Sequence, residues 1–372
     1  MGGLGKLDDY VEAVSVARNV HNLSALAAIR SVAKARLVFR LGPRMHAMLG
    51  MAGVPQSEWK HFQQEKDLEV VLQQLNPAAK RSVADNKILF SRHCEAYGLA
   101  HIQTIFHDPL EHSLSDDELR EDFCRCIGSA PDALFFKLMG GAHGYGAFSA
   151  ERSNTIWSYC GETGTTGDLY EFCRKRQGAS RGWLVQPVVN THSRLQEVSS
   201  CRALSTARLL TCMTPEGPAL LTAVLKLARG LNETDNFDMG RGGNMVAQID
   251  IASGRLGPAK GSLSKDFPCI ISFAVDPDTG HHVAGRLVPF WEETKALVLR
   301  AQSTLPELKS LGWDVAITDE GPFVVETNSN YGSDSTQVAY GRGLRPILLS
   351  RLKKLAETSP DWDPTDNSRH GT

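Results

Sequence analysis

Two alternating runs of apolar and polar residues near the C-terminal end constrain the fold of this chain most strongly. They lie within residues 312–330, on either side of the turn sequence Asp319-Glu-Gly-Pro322. Alternation with a period of two on both sides of a turn is typical of a β-hairpin. The sequence therefore predicts two neighbouring antiparallel strands whose side chains divide between two faces.

The register of this hairpin follows if Ile317 pairs with Phe323 across the turn. Asp314 then lies directly opposite Glu326. A slip of one residue would move the two carboxylates to opposite faces. The predicted apolar face consists of Trp313, Val315, Ile317, Phe323 and Val325, and the other face of Asp314, Glu326 and Asn328, with Ala316 and Val324 nearer the turn.

The two facing carboxylates indicate a cation site. Like charges directly opposite each other in a hairpin destabilise it, and a cation between them removes the repulsion. Carboxylate and amide oxygens are ligands that suit Mg²⁺. The sequence therefore predicts a magnesium site at Asp314, Glu326 and Asn328. The alternative is an exposed acidic face with Asn328 as a turn residue, which the apolar neighbours on that face disfavour.

A second candidate lies at 133–146, where a predicted strand delivers Lys137 into the glycine-rich segment Gly140-Gly-Ala-His-Gly144-Tyr-Gly146. Glycines let backbone N–H groups approach phosphate oxygens, and a lysine adds a point charge. The spacing matches neither a Walker A motif nor the dinucleotide-binding fingerprint. The pattern allows a phosphate-covering loop with Gly141, Gly144 and Gly146, or a hairpin loop without a ligand.

Three isolated basic residues complete the set of candidates. Lys87 lies on a predicted helix, and Arg208 and Lys226 lie on apolar predicted strands. A charge on an apolar strand usually faces a ligand or a partner. Each of the three could also be an ordinary surface charge.

Composition bounds the class of protein. The 372 residues are 42% hydrophobic and 22% charged, with a net charge of −2. This balance excludes a mostly disordered chain and argues against a dedicated nucleic-acid binder, which carries a basic excess. No apolar run is long enough to span a bilayer, and the acidic N-terminal segment does not resemble a signal peptide. We expect a cytoplasmic protein. Cys124 and Cys126 lack further ligands at zinc spacing.

Residues 1–50 are predicted to be helical, because apolar residues recur at helical spacing from Val11 to Leu41, and Gly42-Pro43 is a stop signal. Six basic residues and no acidic residue lie between Arg18 and Arg44. Residues 18–44 are therefore either a solvated helical face packed on the protein body or a peripheral contact with an anionic membrane.

In this order the pieces resemble an ATP-grasp enzyme, and more narrowly the sugar-transfer-associated ATP-grasp group. The resemblance covers about residues 80–350, and the first 75 residues have no clear counterpart. The matching stretches are Ser205-Thr-Ala-Arg-Leu-Leu-Thr211, Thr234-Asp-Asn-Phe237, Ile249-Asp-Ile-Ala-Ser-Gly-Arg-Leu256, Leu311-Gly-Trp-Asp-Val-Ala-Ile-Thr318 and Gly321-Pro-Phe-Val-Val-Glu-Thr-Asn328.

The resemblance implies an α+β fold in which two subdomains clasp ATP. The implied divisions are a helical extension (1–76), the N-terminal part of the core (77–130), a lid with the glycine-rich loop (131–186), a C-terminal subdomain with the metal site (187–356) and a loose tail (357–372).

The resemblance also implies roles for single residues. Members often carry an acidic residue at the connector that holds adenine, whereas this chain has Gln186-Pro187. The implied ATP-binding residues are Lys87, Lys137, Gly141, Gly144, Gly146, Lys226 and the backbone of Gln186 and Val188; Arg208 and Lys137 would stabilise the transferring phosphoryl group, and Asp314, Glu326 and Asn328 would bind Mg²⁺.

The implied chemistry is a ligation in which ATP converts a carboxylate to an acyl phosphate and an amine or thiol displaces phosphate. The group label points to glycan, exopolysaccharide or secondary-metabolite biosynthesis. His143 and His192 are candidate general bases. The alternatives are a phosphotransferase of the same fold, a non-catalytic nucleotide-binding protein, and a glycosidase that uses Asp314 and Glu326 as acid and base.

Overall fold

The computed structural model describes residues 4–108, 115–139, 146–176, 182–199, 201–262, 264 and 266–357. Within these residues two antiparallel sheets carry packed helices, which confirms the predicted α+β class. Gly141, His143 and Gly144 lie outside the described residues, and so does the predicted tail from residue 358 onward.

The N-terminal part is helical, as predicted. Helix α2 ends at Phe39, and Pro43 starts the next helix, where the missing proline N–H costs nothing. Two 3₁₀ turns follow at Met51–Gly53 and Gln56–His61, and Trp59 in the second is buried. The helices are α1 (Leu4–Asn19), α2 (Ala25–Phe39), α3 (Pro43–Met48), α4 (Glu65–Leu75), α5 (Ser82–Asp85) and α6 (Lys87–Ala96).

The first sheet has six strands in the order β1-β6-β2-β3-β4-β5. An isolated bridge from His101 to Val324 precedes its first strand, β1. The elements are β1 (Phe106–His107), α7 (Asp116–Gly128), β2 (Ala133–Leu138), β3 (Phe148–Ser153), β4 (Ile156–Tyr159), β5 (Glu162–Gly164), α8 (Thr166–Arg176) and β6 (Trp183–Pro187).

Alternation along β2 gives this sheet a covered face and an open face. Leu134 and Phe136 are buried in a core with residues of α7 and α8, including Phe123 and Leu169. Successive side chains of a strand point to opposite faces, so Lys137 lies on the face away from these helices.

The second sheet has seven strands in the order β11-β10-β9-β8-β7-β12-β13. The predicted hairpin forms one of its edges. The elements are α9 (Ser193–Gln196), β7 (Thr206–Thr214), β8 (Gly217–Leu227), β9 (Met245–Ile249), β10 (Leu256–Ser262), β11 (Ile270–Phe273), α10 (Trp291–Ser303), β12 (Ser310–Thr318), β13 (Gly321–Asn328), α11 (Asp334–Tyr340) and α12 (Leu349–Glu357).

One face of the second sheet packs on α6 and α10 through a core that includes Phe90, Val298 and Trp313. The N-terminal segment covers part of the other face, where Trp59 contacts the core around Val224. Among the described residues, no helix combines the length and the apolar character needed to cross a membrane.

Candidate functional site

The β12–β13 hairpin places Asp314 opposite Glu326, as predicted. A bulge follows directly, so that Val315 pairs with Val324 and Ile317 with Pro322. The predicted pairing of Ile317 with Phe323 is therefore wrong. A bulge puts an extra residue into one strand and shifts its side chains by one position.

The bulge also corrects the predicted apolar face of β13. Val324 is buried in the core beside Trp313, Val315 and Ile317, whereas Val325 is only half-buried. The extra residue lets the apolar Val324 reach the core without moving Glu326 away from Asp314.

Asp314 lies at the centre of a buried charge network, with its side chain only 5% exposed. Arg208, its cross-strand neighbour on β7, donates through Nε and Nη2 to both carboxylate oxygens. Lys226 Nζ lies 3.2 Å from Asp314 Oδ2 and 3.1 Å from Asp235 Oδ1. The sequence-predicted Arg208, Lys226 and Asp314 therefore meet on one face of the sheet.

Asp235 completes this network and was not among the predicted site residues. Its Oδ2 accepts hydrogen bonds from the N–H of Thr206 at 2.8 Å and from its hydroxyl at 2.5 Å. The signal was present in the stretch Thr234-Asp-Asn-Phe237, which the family resemblance singled out without giving Asp235 a role.

The pKa values of the network follow from burial and pairing. Burial would raise the pKa of Asp314, but the charges of Arg208 and Lys226 outweigh it and hold that pKa well below its usual range. Burial would lower the pKa of Lys226, but Asp235 and Asp314 raise it. Burial raises the pKa of Asp235 despite its contact with Lys226. The network therefore retains charged Asp314 and Lys226 at neutral pH.

Lys137 approaches this network from the other sheet. A small recess is lined by Lys137 and Gln186 from the open face of the first sheet, by Lys87 and His101, and by Val324 of the hairpin. Burial lowers the pKa of Lys137 to about 8; Glu326 opposes this shift, and Lys87 adds to it. Lys137 makes no ion pair with a carboxylate of the part of the chain that the structure describes.

The residues at the hairpin end fit a magnesium ion. Glu326 is half-buried and makes no side-chain hydrogen bond with the described residues. The Asn328 Nδ2 atom is buried and has no hydrogen-bond partner among the described residues. Turning that amide over would present its oxygen instead. A carboxylate has about four acceptor positions, so Asp314 retains capacity beside Arg208 and Lys226. The described residues contain no group of three His, Cys, Asp or Glu side chains suited to a metal; this set has two carboxylates and an amide.

Neighbouring contacts hold Asn328 in place. Tyr331 packs against Gly312, where an added Cβ would lie 2.9 Å from the Tyr331 Cβ. The Tyr331 hydroxyl lies 2.6 Å from Ser310 Oγ. Asn76 donates from its amide to the carbonyls of Ser310 and Ser329. These bonds tie the residue after Asn328 to β12.

The family assignment comes from the sequence as a whole. A family model described as "Sugar-transfer associated ATP-grasp" matches residues 69–354, which include both sheets and every predicted site residue. The chain belongs to this ATP-grasp family. The predicted ATP-grasp fold is thereby confirmed, while the roles of single residues remain predictions. No curated protein is detectably similar in sequence to this chain.

Solved structures similar to this ATP-grasp chain include three bacterial enzymes. D-alanine–D-alanine ligase from Bacillus anthracis is 9% identical, with 78% of this chain and 76% of that one covered and a TM-score of 0.41. L-amino acid ligase from Bacillus licheniformis is 11% identical, with 74% and 49% covered and a TM-score of 0.39. Biotin carboxylase from Campylobacter jejuni is 8% identical, with 81% and 53% covered and a TM-score of 0.43.

The ATP-grasp chain spans about half the length of several of these structures. It covers 52% of an N5-carboxyaminoimidazole ribonucleotide synthetase crystallised with ADP, at 11% identity and a TM-score of 0.39, with 72% of this chain covered.

The connector after β6 differs from the predicted arrangement. Val188 donates its N–H to the carbonyl of Ala133 at 2.9 Å, so that N–H is not available to adenine. Because backbone groups of an extended segment alternate between its two edges, we expect the Val189 N–H and the Pro187 carbonyl on the edge away from β2. Gln186 pairs with Phe135, and its side-chain amide donates to the Ile102 carbonyl.

Two other predicted residues, His192 and Gly146, are not part of the charge network. His192 caps α9 and contacts Asp319 at the hairpin turn, at the opposite end of β12 from Gly312. Gly146, the described glycine of the predicted loop, has a φ of 77°. An added Cβ there would come within 3.0 Å of Leu138, so the chain returning into β3 favours glycine for both reasons.

Proposed function

We propose that this ATP-grasp protein is an Mg²⁺- and ATP-dependent ligase that joins a carboxylate to an amine or thiol. The observation that carries the proposal is that Arg208, Lys226 and Asp314 meet on one sheet, while Lys137 of the other sheet lies close enough to interact electrostatically with Asp314 and Glu326. Cations from both sheets lie around a set of carboxylate and amide groups. This arrangement matches the charge of a nucleoside triphosphate with its bound metal ion.

Each residue has a distinct task in this proposal. Lys137 and Lys87 would bind phosphate oxygens of ATP, and Arg208 would face the transferring phosphoryl group. The Pro187 carbonyl and the Val189 N–H would bind the adenine edge. Mg²⁺, held by Asp314, Glu326 and Asn328, would neutralise phosphate charge.

The proposed reaction has two steps. A carboxylate oxygen of the substrate attacks the γ-phosphorus, the bond to the bridging oxygen breaks, and ADP leaves with that electron pair. The amine or thiol then attacks the acyl carbon, and phosphate leaves after the nucleophile loses its proton. No covalent bond to the protein is needed, so catalysis consists of positioning and charge neutralisation.

The second substrate would lie in the segments beyond Asn328. Ser333 there donates from its N–H and hydroxyl to Glu65 of α4. Burial and the neighbouring Glu65 raise the pKa of Asp334 to about 9. Buried polar atoms without a partner occur in Asp334, Thr336 and Gln63. Polar atoms of this kind support a polar acceptor.

Product analysis tests the proposal. The protein is incubated with Mg²⁺ and ATP and with pooled sugar acids, amino acids and thiols, and the products are separated by anion exchange. We expect substrate-dependent ADP and free phosphate, and at least a hundredfold lower rate for Glu326→Gln. Phosphate retained on the product would identify a phosphotransferase instead. AMP with pyrophosphate, or equal turnover by Glu326→Gln, would contradict the proposed site.

A further inference from the structure

Helix α2 exposes a row of aliphatic side chains that nothing in the described chain covers. Leu26, Ile29 and Leu37 are 57%, 53% and 81% exposed. We call these residues, with Arg30 and Arg36, the outer α2 face. Six of the twelve large apolar side chains exposed on the described residues lie on α1 and α2; they are Leu7, Val11, Leu26, Ile29, Leu37 and Val38.

Helical geometry places this row directly opposite the core side of α2. Consecutive residues are about 100° apart around a helix, so Leu26 and Leu37 fall within about 20° of each other. Both lie about 180° from the buried Ala28 and Ala35. One side of the helix is therefore buried against the protein, and the opposite side is apolar and exposed. An ordinary surface helix has a polar outer face instead.

Basic side chains flank the apolar row on both sides. On the same helical projection Arg36 lies beside Ile29, and Arg30 lies beyond Leu37 on the other side. Both are exposed, and neither forms an ion pair with a described residue. Arg44 is different, since it pairs with Asp9.

The charge of the surrounding sequence is also one-sided. No acidic residue occurs from Ala13 to Ser57, although this stretch holds six basic residues. The positive charge around the outer α2 face is therefore not balanced by its own segment. An aliphatic row with arginines on both sides complements the interface of an anionic bilayer, where acyl chains take up the leucines and headgroups pair with the arginines.

We propose that the outer α2 face docks this protein on the surface of an anionic membrane. A contact of this kind would place the N-terminal helices against the lipid. Charge favours lipid over a second copy of the chain, because two copies of this face would bring like charges together.

Vesicle binding tests the proposal. The full-length protein is sedimented with vesicles of phosphatidylcholine alone or with equal parts of phosphatidylglycerol, at low and high salt. We expect binding only to the mixed vesicles, with loss at roughly 1 M salt, where the screening length falls to about 3 Å.

Two double variants separate the apolar and the charged contributions. Leu26→Gln with Leu37→Gln should weaken partitioning at least tenfold. Arg30→Gln with Arg36→Gln should weaken it about twenty-fivefold, from about fivefold for each arginine. The matched control is Leu231→Gln with Lys353→Gln, which changes exposed residues elsewhere and should bind like the wild type. All four altered α2 residues are exposed, so melting temperatures should not change.

Three outcomes would overturn the proposal. The first is a wild-type protein that does not sediment with phosphatidylglycerol vesicles. The second is equal sedimentation of both α2 variants and the wild type, which would place the lipid contact elsewhere. The third is a dimer in solution that the Leu26 and Leu37 changes dissociate, which would identify a second copy as the occupant. None of these readouts depends on ATP turnover.

Discussion

Two lysines, one on each sheet, face the same site in different electrostatic surroundings; Lys226 is buried and Lys137 is half-buried. Lys226 of the second sheet lies about equally close to Asp235 and Asp314, and its pKa is raised. Lys137 of the first sheet makes no ion pair with a described carboxylate, and burial lowers its pKa to about 8.

The difference teaches how a cleft can be ordered before its ligand arrives. The second sheet neutralises its charges internally, so its side chains are held in fixed positions without nucleotide. The first sheet contributes Lys137, a partly desolvated cation that forms no ion pair with a described carboxylate. The binding of an anion stabilises such a cation most. Replacing Lys226 should therefore affect mainly stability, whereas replacing Lys137 should affect mainly ATP binding.

The largest expected effect is that of Asp314→Asn on stability. The change removes the carboxylate that pairs with both Arg208 and Lys226 and leaves Asp235 as the remaining ion-pair partner of Lys226, which should cost about 3–5 kcal/mol of unfolding free energy. Its register partner provides the control, because the half-buried carboxylate of Glu326 accepts no hydrogen bond from the described residues, and Glu326→Gln should cost less than about 1 kcal/mol. Urea unfolding of both variants measures this, and equal losses would contradict the network.

The next effect distinguishes the two lysines directly. Lys226→Met should lose about 3 kcal/mol of unfolding free energy, because it leaves the buried Asp235 without its ion-pair partner. Lys137→Met should lose no stability. Lys137→Met should instead weaken ATP binding about tenfold to a hundredfold, the worth of a charged hydrogen bond. Calorimetric titration with ATP measures the affinity. Unchanged ATP affinity in Lys137→Met would remove this lysine from the proposed site.

The smallest effect is a pH dependence that arises from Lys137. Its pKa is about 8 in the folded protein against 10.5 in an unfolded chain. Between these values the unfolded state binds more protons, so this lysine makes stability rise with pH. Without nucleotide, Lys137→Met should be more stable than the wild type at pH 7, and the gap should narrow from pH 8 to 10. A gap that stays constant over this range would show that the lysine is not desolvated.

The site was predictable where local periodicity carried the information. Alternation around the Asp319-Glu-Gly-Pro322 turn placed Asp314 opposite Glu326, and the structure has that pair in register. The bulge that follows was not predictable, because it depends on Val324 finding room beside Trp313 in a core formed by distant helices. The pairing nearer the turn was wrong for this reason.

The backbone groups that remain available at the connector also depend on pairing between distant residues. The sequence indicates a strand ending near Pro187, but strand edges are assigned only by pairing. The bond from Val188 to Ala133 decides which N–H groups remain available, and it joins residues 55 positions apart. Asp235 likewise acquires its role only when β8 brings Lys226 beside it.

By itself the sequence determined which polar and charged side chains lie together on the hairpin. Period-two alternation and a turn predicted the hairpin, and the residue types at Asp314, Glu326 and Asn328 predicted oxygen-bearing side chains on it, since these properties depend on neighbours along the chain. The tertiary structure alone decided which charges neutralise one another and which remain for a ligand. That choice depends on burial and on contacts between strands far apart in sequence, and neither is encoded in any short stretch of residues.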